Sequence, residues 1–121
     1  MATLTTKLTL TSTSTLTDST NVTVTDTLAV TNPIELSRKS IATGSAQAVI
    51  ASNSSFSYAY LKVISGAATT NWVQVLLGGD AKLKMRVGEF AFFPLYSSQA
   101  ITAEAQGGAC VVEYGAWTAS V

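Results

Sequence analysis

From Leu4 to Val30 the large apolar residues keep even step. Leu4, Leu8, Leu10, Leu16, Val22, Val24, Leu28 and Val30 all carry even numbers, while the odd positions are mostly Thr. A period of two is the strand period, and Thr and Val are β-branched residues whose stiff side chains suit a pleated surface. The pattern predicts a Thr-rich β arm over residues 1–31, with one apolar face and one hydroxyl face. Asp18-Ser19-Thr20-Asn21 is the expected reversal, because such side chains bond nearby backbone groups, and it divides the arm into two strands. If Ala2 to Leu16 formed one extended strand it would span roughly 50 Å, whereas a compact domain of this length has a radius of gyration of about 14 Å. The arm therefore folds back or reaches a neighbour, and its apolar face needs a partner in either case. This makes Leu4, Leu8, Leu10, Leu16, Val22 and Val24 candidate interface residues. Composition alone also fits a structureless Thr/Ser tail, but such a tail has no reason to hold its apolar residues in phase.

The pattern changes near Asn32-Pro33, after which every aromatic residue falls. Residues 32–121 read as short apolar strands: Gln47 to Ala51, Tyr58 to Ile64, Trp72 to Leu77, Lys82 to Val87, Phe90 to Leu95, Ala100 to Ala105 and Cys110 to Tyr114. Between them lie Ser52-Asn53-Ser54-Ser55, Gly66, Gly78-Gly79-Asp80, Val87-Gly88-Glu89, Ser97-Ser98 and Gly107-Gly108. Turn signals about every 8 to 12 residues are the mark of a sandwich or barrel. Lys82 to Val87 alternates cleanly and should be half-buried, whereas Val73 to Leu77 and Phe90 to Leu95 are nearly continuous and look covered on both sides. Pro94 cannot donate to a ladder, which assigns it to an edge or a strand end. Ala42 to Ala51 is the one competing helix, weakened by Thr43-Gly44-Ser45.

The chain has 121 residues, enough for one core. Nearly half of them are apolar and few are charged, so most of the chain is expected to fold. Seven basic and seven acidic residues cancel. A neutral molecule lacks the field that draws nucleic acid or a membrane surface, so neither is expected as a partner, and it also lacks the repulsion that keeps copies apart. Residues 1–10 show no apolar signal segment and no run is long enough to span a bilayer, so the expected site of synthesis is a cytoplasm. Cys110 sits in an apolar run and reads as a buried, inert thiol. A bridge between copies is the one disulfide left open to it.

Histidine is absent, which removes the commonest general base, the Ser-His-Asp and Cys-His arrangements and the usual transition-metal ligand. A lone Cys makes no zinc or iron–sulfur site. A glycosidase needs two opposed carboxylates, yet Asp18 and Asp80 fall in turns and Glu104 and Glu113 at polar strand positions. Gly78-Gly79-Asp80 joins two strands and reads as a tight reversal, where glycine supplies positive φ, in place of a phosphate loop. No catalytic residue, cofactor or metal is expected, and the protein reads as a non-enzyme.

Two candidate surfaces remain. Lys82, Lys84 and Arg86 share a strand face, either solvated or meeting carboxylates of a neighbouring subunit. The aromatics are assigned mostly to the core; Tyr58 and Tyr60 share one strand face, as do Phe90 and Phe92, and Trp117 is the expected exposed exception.

Trp72-Val73-Gln74-Val75-Leu76-Leu77-Gly78-Gly79, Val87-Gly88-Glu89-Phe90-Ala91-Phe92-Phe93-Pro94-Leu95 and Val111-Val112-Glu113-Tyr114-Gly115 carry a resemblance. The stretch from Tyr60 to Trp117, about half the chain, resembles the small β-sandwich modules of tailed-phage virion proteins, including capsid decoration (cement) proteins. The resemblance implies a jelly-roll-like antiparallel β-sandwich that assembles as a homotrimer on a capsid shell or forms part of a tail. The expectation is thus an all-β protein with an extended N-terminal β arm. It would be a virion structural protein whose partners are its own copies and a major capsid or other virion protein. A carbohydrate-binding module of a phage tail or surface structure, using exposed aromatics, is the alternative.

Overall fold

The computed structural model describes residues 2–11, 21–31, 36–52, 56–96 and 99–120. The expected reversal at residues 18–20, the turns at 53–55 and 97–98 and the interface residue Leu16 lie outside them. Ten strands run in chain order: β1 (Ala2–Thr11), β2 (Asn21–Thr31), β3 (Ser37–Ile41), β4 (Gln47–Ile50), β5 (Tyr58–Gly66), β6 (Trp72–Leu77), β7 (Asp80–Arg86), β8 (Phe90–Pro94), β9 (Ile101–Gln106) and β10 (Cys110–Ala119). The fold is all-β, with no helix among the described residues.

β3 to β10 pair as a long hairpin rolled on itself. β3 pairs with β10, β4 with β9, β5 with β8 and β6 with β7, all antiparallel. Pairings of β10 with β5 and of β6 with β9 close two sheets, β3-β10-β5-β8 and β4-β9-β6-β7. This is the strand order of a jelly roll. At the β6–β7 reversal Gly78 and Gly79 adopt φ of 63° and 94°. Both central residues of a type I′ turn need positive φ, and glycine reaches it at no steric cost.

Strand alternation builds the core. Ala59, Leu61 and Val63 of β5, Val73 and Val75 of β6, Ile101, Ala103 and Ala105 of β9, and Val112 and Ala116 of β10 are buried between the sheets with Ile41 of β3. Their neighbours in sequence point outward.

Several expectations change. β3 has no counterpart in the sequence reading, because Ser-Arg-Lys-Ser-Ile offers one buried residue, Ile41, and no visible alternation. The competing helix over Ala42 to Ala51 is strand β4 at Gln47–Ile50. β10 runs on to Ala119, well beyond Tyr114. β8 is not covered on both sides: it is an edge strand, and Phe90 and Phe92 are 63% and 37% exposed on its outer face. Pro94 does end an edge strand.

The arm folds back on itself. β1 and β2 pair in unbroken register from Ala2↔Val30 to Thr11↔Asn21. The base of the hairpin joins the first sheet through Thr31↔Thr118 and Val30↔Ala119, giving the order β1-β2-β10-β5-β8.

Candidate functional site

Opposed residues in an antiparallel ladder share a face, so Leu4↔Leu28, Leu8↔Val24 and Leu10↔Val22 make one largely apolar row, interrupted on the same face by Thr6↔Asp26. Thr5↔Thr27, Lys7↔Thr25 and Thr9↔Thr23 make the polar face behind it. Burial falls along the row. Val30 is 1% exposed at the base and Leu4 and Leu28 are half-buried, but Leu8, Leu10, Val22 and Val24 are 43%, 48%, 40% and 54% exposed. The even stripe therefore forms, and its distal half is uncovered among the described residues.

The stripe continues onto the sandwich. Ala119 opposes Val30, Trp117 lies two residues before Ala119 on the same face, and Trp117 opposes Tyr58. Gly115↔Tyr60 and Tyr60↔Phe92 extend that face to the β8 edge, where Phe90 opposes Lys62. Tyr58 stacks on Phe92 with centroids 5.9 Å apart and planes 13° from parallel, and Phe92 meets Trp117 at 6.2 Å, tilted by 54°. These spacings suit offset and tilted aromatic packing. Gly115 sits beneath: a Cβ there would stand 2.8 Å from Leu36 Cδ2 and 3.1 Å from Trp117 Cη2. Only glycine lets both side chains lie against the strand.

A groove of about 580 Å³ runs between hairpin and sheet, with Thr6, Leu8 and Val24 on one wall and Tyr60, Phe90 and Phe92 on the other. A smaller hollow of about 260 Å³ adjoins it at Leu4, Leu36 and Trp117. The aromatics expected in the core thus divide. Phe56, Phe93 and Tyr114 pack against the core, while Tyr58, Tyr60, Phe90, Phe92 and Trp117 face outward. The sequence signal was the shared parity of Tyr58 with Tyr60 and of Phe90 with Phe92, opposite in phase to Ala59, Leu61 and Val63.

One polar group borders this face. Tyr60 Oη donates to Glu113 Oε1 at 3.0 Å, and Arg38 Nε donates to Glu113 Oε2 at 3.3 Å. Burial, then the hydrogen bond to Glu113 and its charge, push the Tyr60 hydroxyl above the usual tyrosine pKa, with Arg38 opposing them. Glu113 is held by both partners in a structural link.

The basic residues are elsewhere. Val73 and Val75 face the core, so Trp72 and Gln74 and their partners Arg86 and Lys84 face outward from the second sheet. Lys84 Nζ lies 4.4 Å from the Trp72 ring centroid, Arg86 Nη1 is 3.8 Å from Glu89 Oε1, and Lys82 is exposed. The structure places Lys82, Lys84 and Arg86 on the opposite side of the sandwich from the apolar stripe. Trp117, by contrast, joins the stripe. Cys110 is buried, and burial raises its thiol pKa. Among the described residues no three His, Cys, Asp or Glu side chains gather as a metal site, and no helix is long and apolar enough to cross a membrane.

No family model matches the chain, and neither a curated protein nor a solved structure is significantly similar to it.

Proposed function

We propose that the protein is a non-enzymatic structural module that self-associates and lays its apolar face on the shell of a phage virion, as a decoration or minor capsid protein. One observation carries the reading: the row Leu8, Leu10, Val22 and Val24 is exposed, and it lies across an open groove from the exposed rings of Phe90 and Phe92. Contiguous exposed apolar surface on a small domain marks an interaction site. The jelly-roll order, which capsid and lectin domains share, supports the virion setting only by analogy of fold, alongside the resemblance over Tyr60 to Trp117.

The test replaces Leu8, Leu10, Val22 and Val24 together by Ser in the full chain and measures mass by light scattering. Partial exposure keeps the cost to the isolated fold low, so the expected product is a folded particle of smaller mass. An unchanged assembly mass refutes the reading.

The aromatic platform Tyr58, Phe92 and Trp117 favours a second reading, a carbohydrate-binding module. Glycan binding by the native chain that disappears in Trp117→Ala would establish it.

A further inference from the structure

Sheet edges are templates for further pairing, and folds protect them with short strands, bulges, proline or charge. Most edges here are protected. β4 has four residues and an irregular register after Ala48. β8 has five and ends at Pro94, and β3 has five with Arg38 and Lys39. β7 carries Lys82, Lys84 and Arg86 opposite a register shift at Val75/Leu76. Among the described residues, 21–28 of β2 are open on the side away from β1 as well, but they carry Asp26, and β10 sits on that side at Val30 and Thr31, where it blocks a full-length partner strand. β1 has ten residues, unbroken register, no proline and Lys7 as its one charge. Among the described residues no strand covers its outer edge.

We infer that β1 pairs antiparallel with β1 of a second copy, about a two-fold axis at Thr6. Alternate residues of an edge strand turn their N–H and C=O groups away from the sheet. Opposed residues must therefore share parity, and the axis passes through a residue. Four centres pair seven residues or more; the one at Leu8 sets Leu10 against Thr6 and leaves Leu4 without an opposite, and the other three are Lys7, Thr5 and Thr6. An axis at Lys7 sets Lys7 against its symmetry mate, and like charges directly opposite destabilise a pair. An axis at Thr5 sets Leu4 against Thr6 and leaves Leu10 without an opposite. The axis at Thr6 pairs Ala2 through Leu10, sets Leu4 against Leu8 twice and places Lys7 opposite Thr5. It also keeps both apolar stripes on one face, doubling the pad that meets the shell. Chains without net charge do not repel each other as they approach.

The inference rests on the self-association proposed above and specifies its contact. It predicts masses in even multiples, in place of the three copies that the resemblance implies.

Single cysteines at Thr5, Thr6, Lys7 and Leu8 in the full chain discriminate the four centres, since Cys110 is buried and the introduced thiol is the reactive one. Directly opposed residues have Cα atoms about 4.5–5.5 Å apart, within the roughly 4.4–6.8 Å that a disulfide spans. After mild oxidation, non-reducing electrophoresis should show a covalent dimer for Thr6→Cys and little for Thr5→Cys, Lys7→Cys or Leu8→Cys. Preferential cross-linking of any of those three overturns the register. No cross-link at any of them, with oligomer mass retained, overturns edge pairing while self-association stands. A monomeric native chain overturns both.

Discussion

Glutamate at Thr5 should tighten the pairing of copies, and glutamate at Thr9 should not. Both positions are exposed, both lie on the polar face of β1, and both flank Lys7 two residues away. Within one chain the two substitutions are nearly equivalent. Across the two-fold axis they differ, because Thr5 opposes the partner's Lys7 and Thr9 opposes the partner's Thr3. An opposite-charge cross-strand pair contributes about 0.2–1 kcal/mol, and symmetry makes two such pairs per contact. Thr5→Glu is therefore expected to strengthen the dimer by about 0.4–2 kcal/mol, a roughly two- to thirtyfold lower Kd. Sedimentation over a dilution series at low salt measures it. The gain should shrink at 1 M salt, where the Debye length is about 3 Å. Equal tightening by Thr9→Glu, or weakening by Thr5→Glu, would refute the register.

Other expectations concern the fold beneath that contact. Gly79→Ala keeps clear space around the new methyl but forces alanine to φ +94°, so denaturant titration should show a loss of about 1–2 kcal/mol, smaller for Gly79→Asn. Because the folded-state pKa of Tyr60 is raised, its contribution to stability is complete below about pH 10, the ordinary tyrosine value, and is lost as the pH climbs through the raised pKa. Denaturation at stepped alkaline pH should show this loss, and Tyr60→Phe should flatten it while costing about 1–3 kcal/mol at neutral pH through the hydrogen bond to Glu113. The Cys110 thiol, buried and with a raised pKa, should react with a thiol reagent only on unfolding; prompt reaction of the native chain contradicts the packing around β10.

The arm was legible because few forces compete there. Leu8, Leu10, Val22 and Val24 are set by hairpin alternation alone, and no core overrides their period. β5, β6 and β9 were legible for a related reason, since Leu61, Val63, Val73, Val75 and Ile101 mark the inner face. β3 was hidden because β10 holds it by backbone pairing, which side-chain pattern does not record. The outward Phe90 and Phe92 were misassigned because hydrophobicity says that a ring leaves water, and not whether its own sheet or another molecule receives it. The continuity of stripe and platform depends on Val30 opposing Ala119, a pairing of residues distant in sequence that no local motif announces.

That same pairing imposes an order in time. The β1–β2 hairpin is local and can form in about 1–10 μs, but an isolated two-stranded hairpin is only marginally stable in water. It gains a fixed seat when β10 arrives, and β10 follows every other strand in the chain while lying at the centre of the first sheet. Joining β3 to β10 closes almost the whole sandwich, a slow step for a fold built on distant pairings. Until β10 pairs with Val30 and Thr31, no described strand of the sandwich holds the hairpin in place. On the proposed reading, competence to associate is thus tied to one pairing, Val30 with Ala119, and a chain in which β10 has not docked offers a second copy no fixed surface.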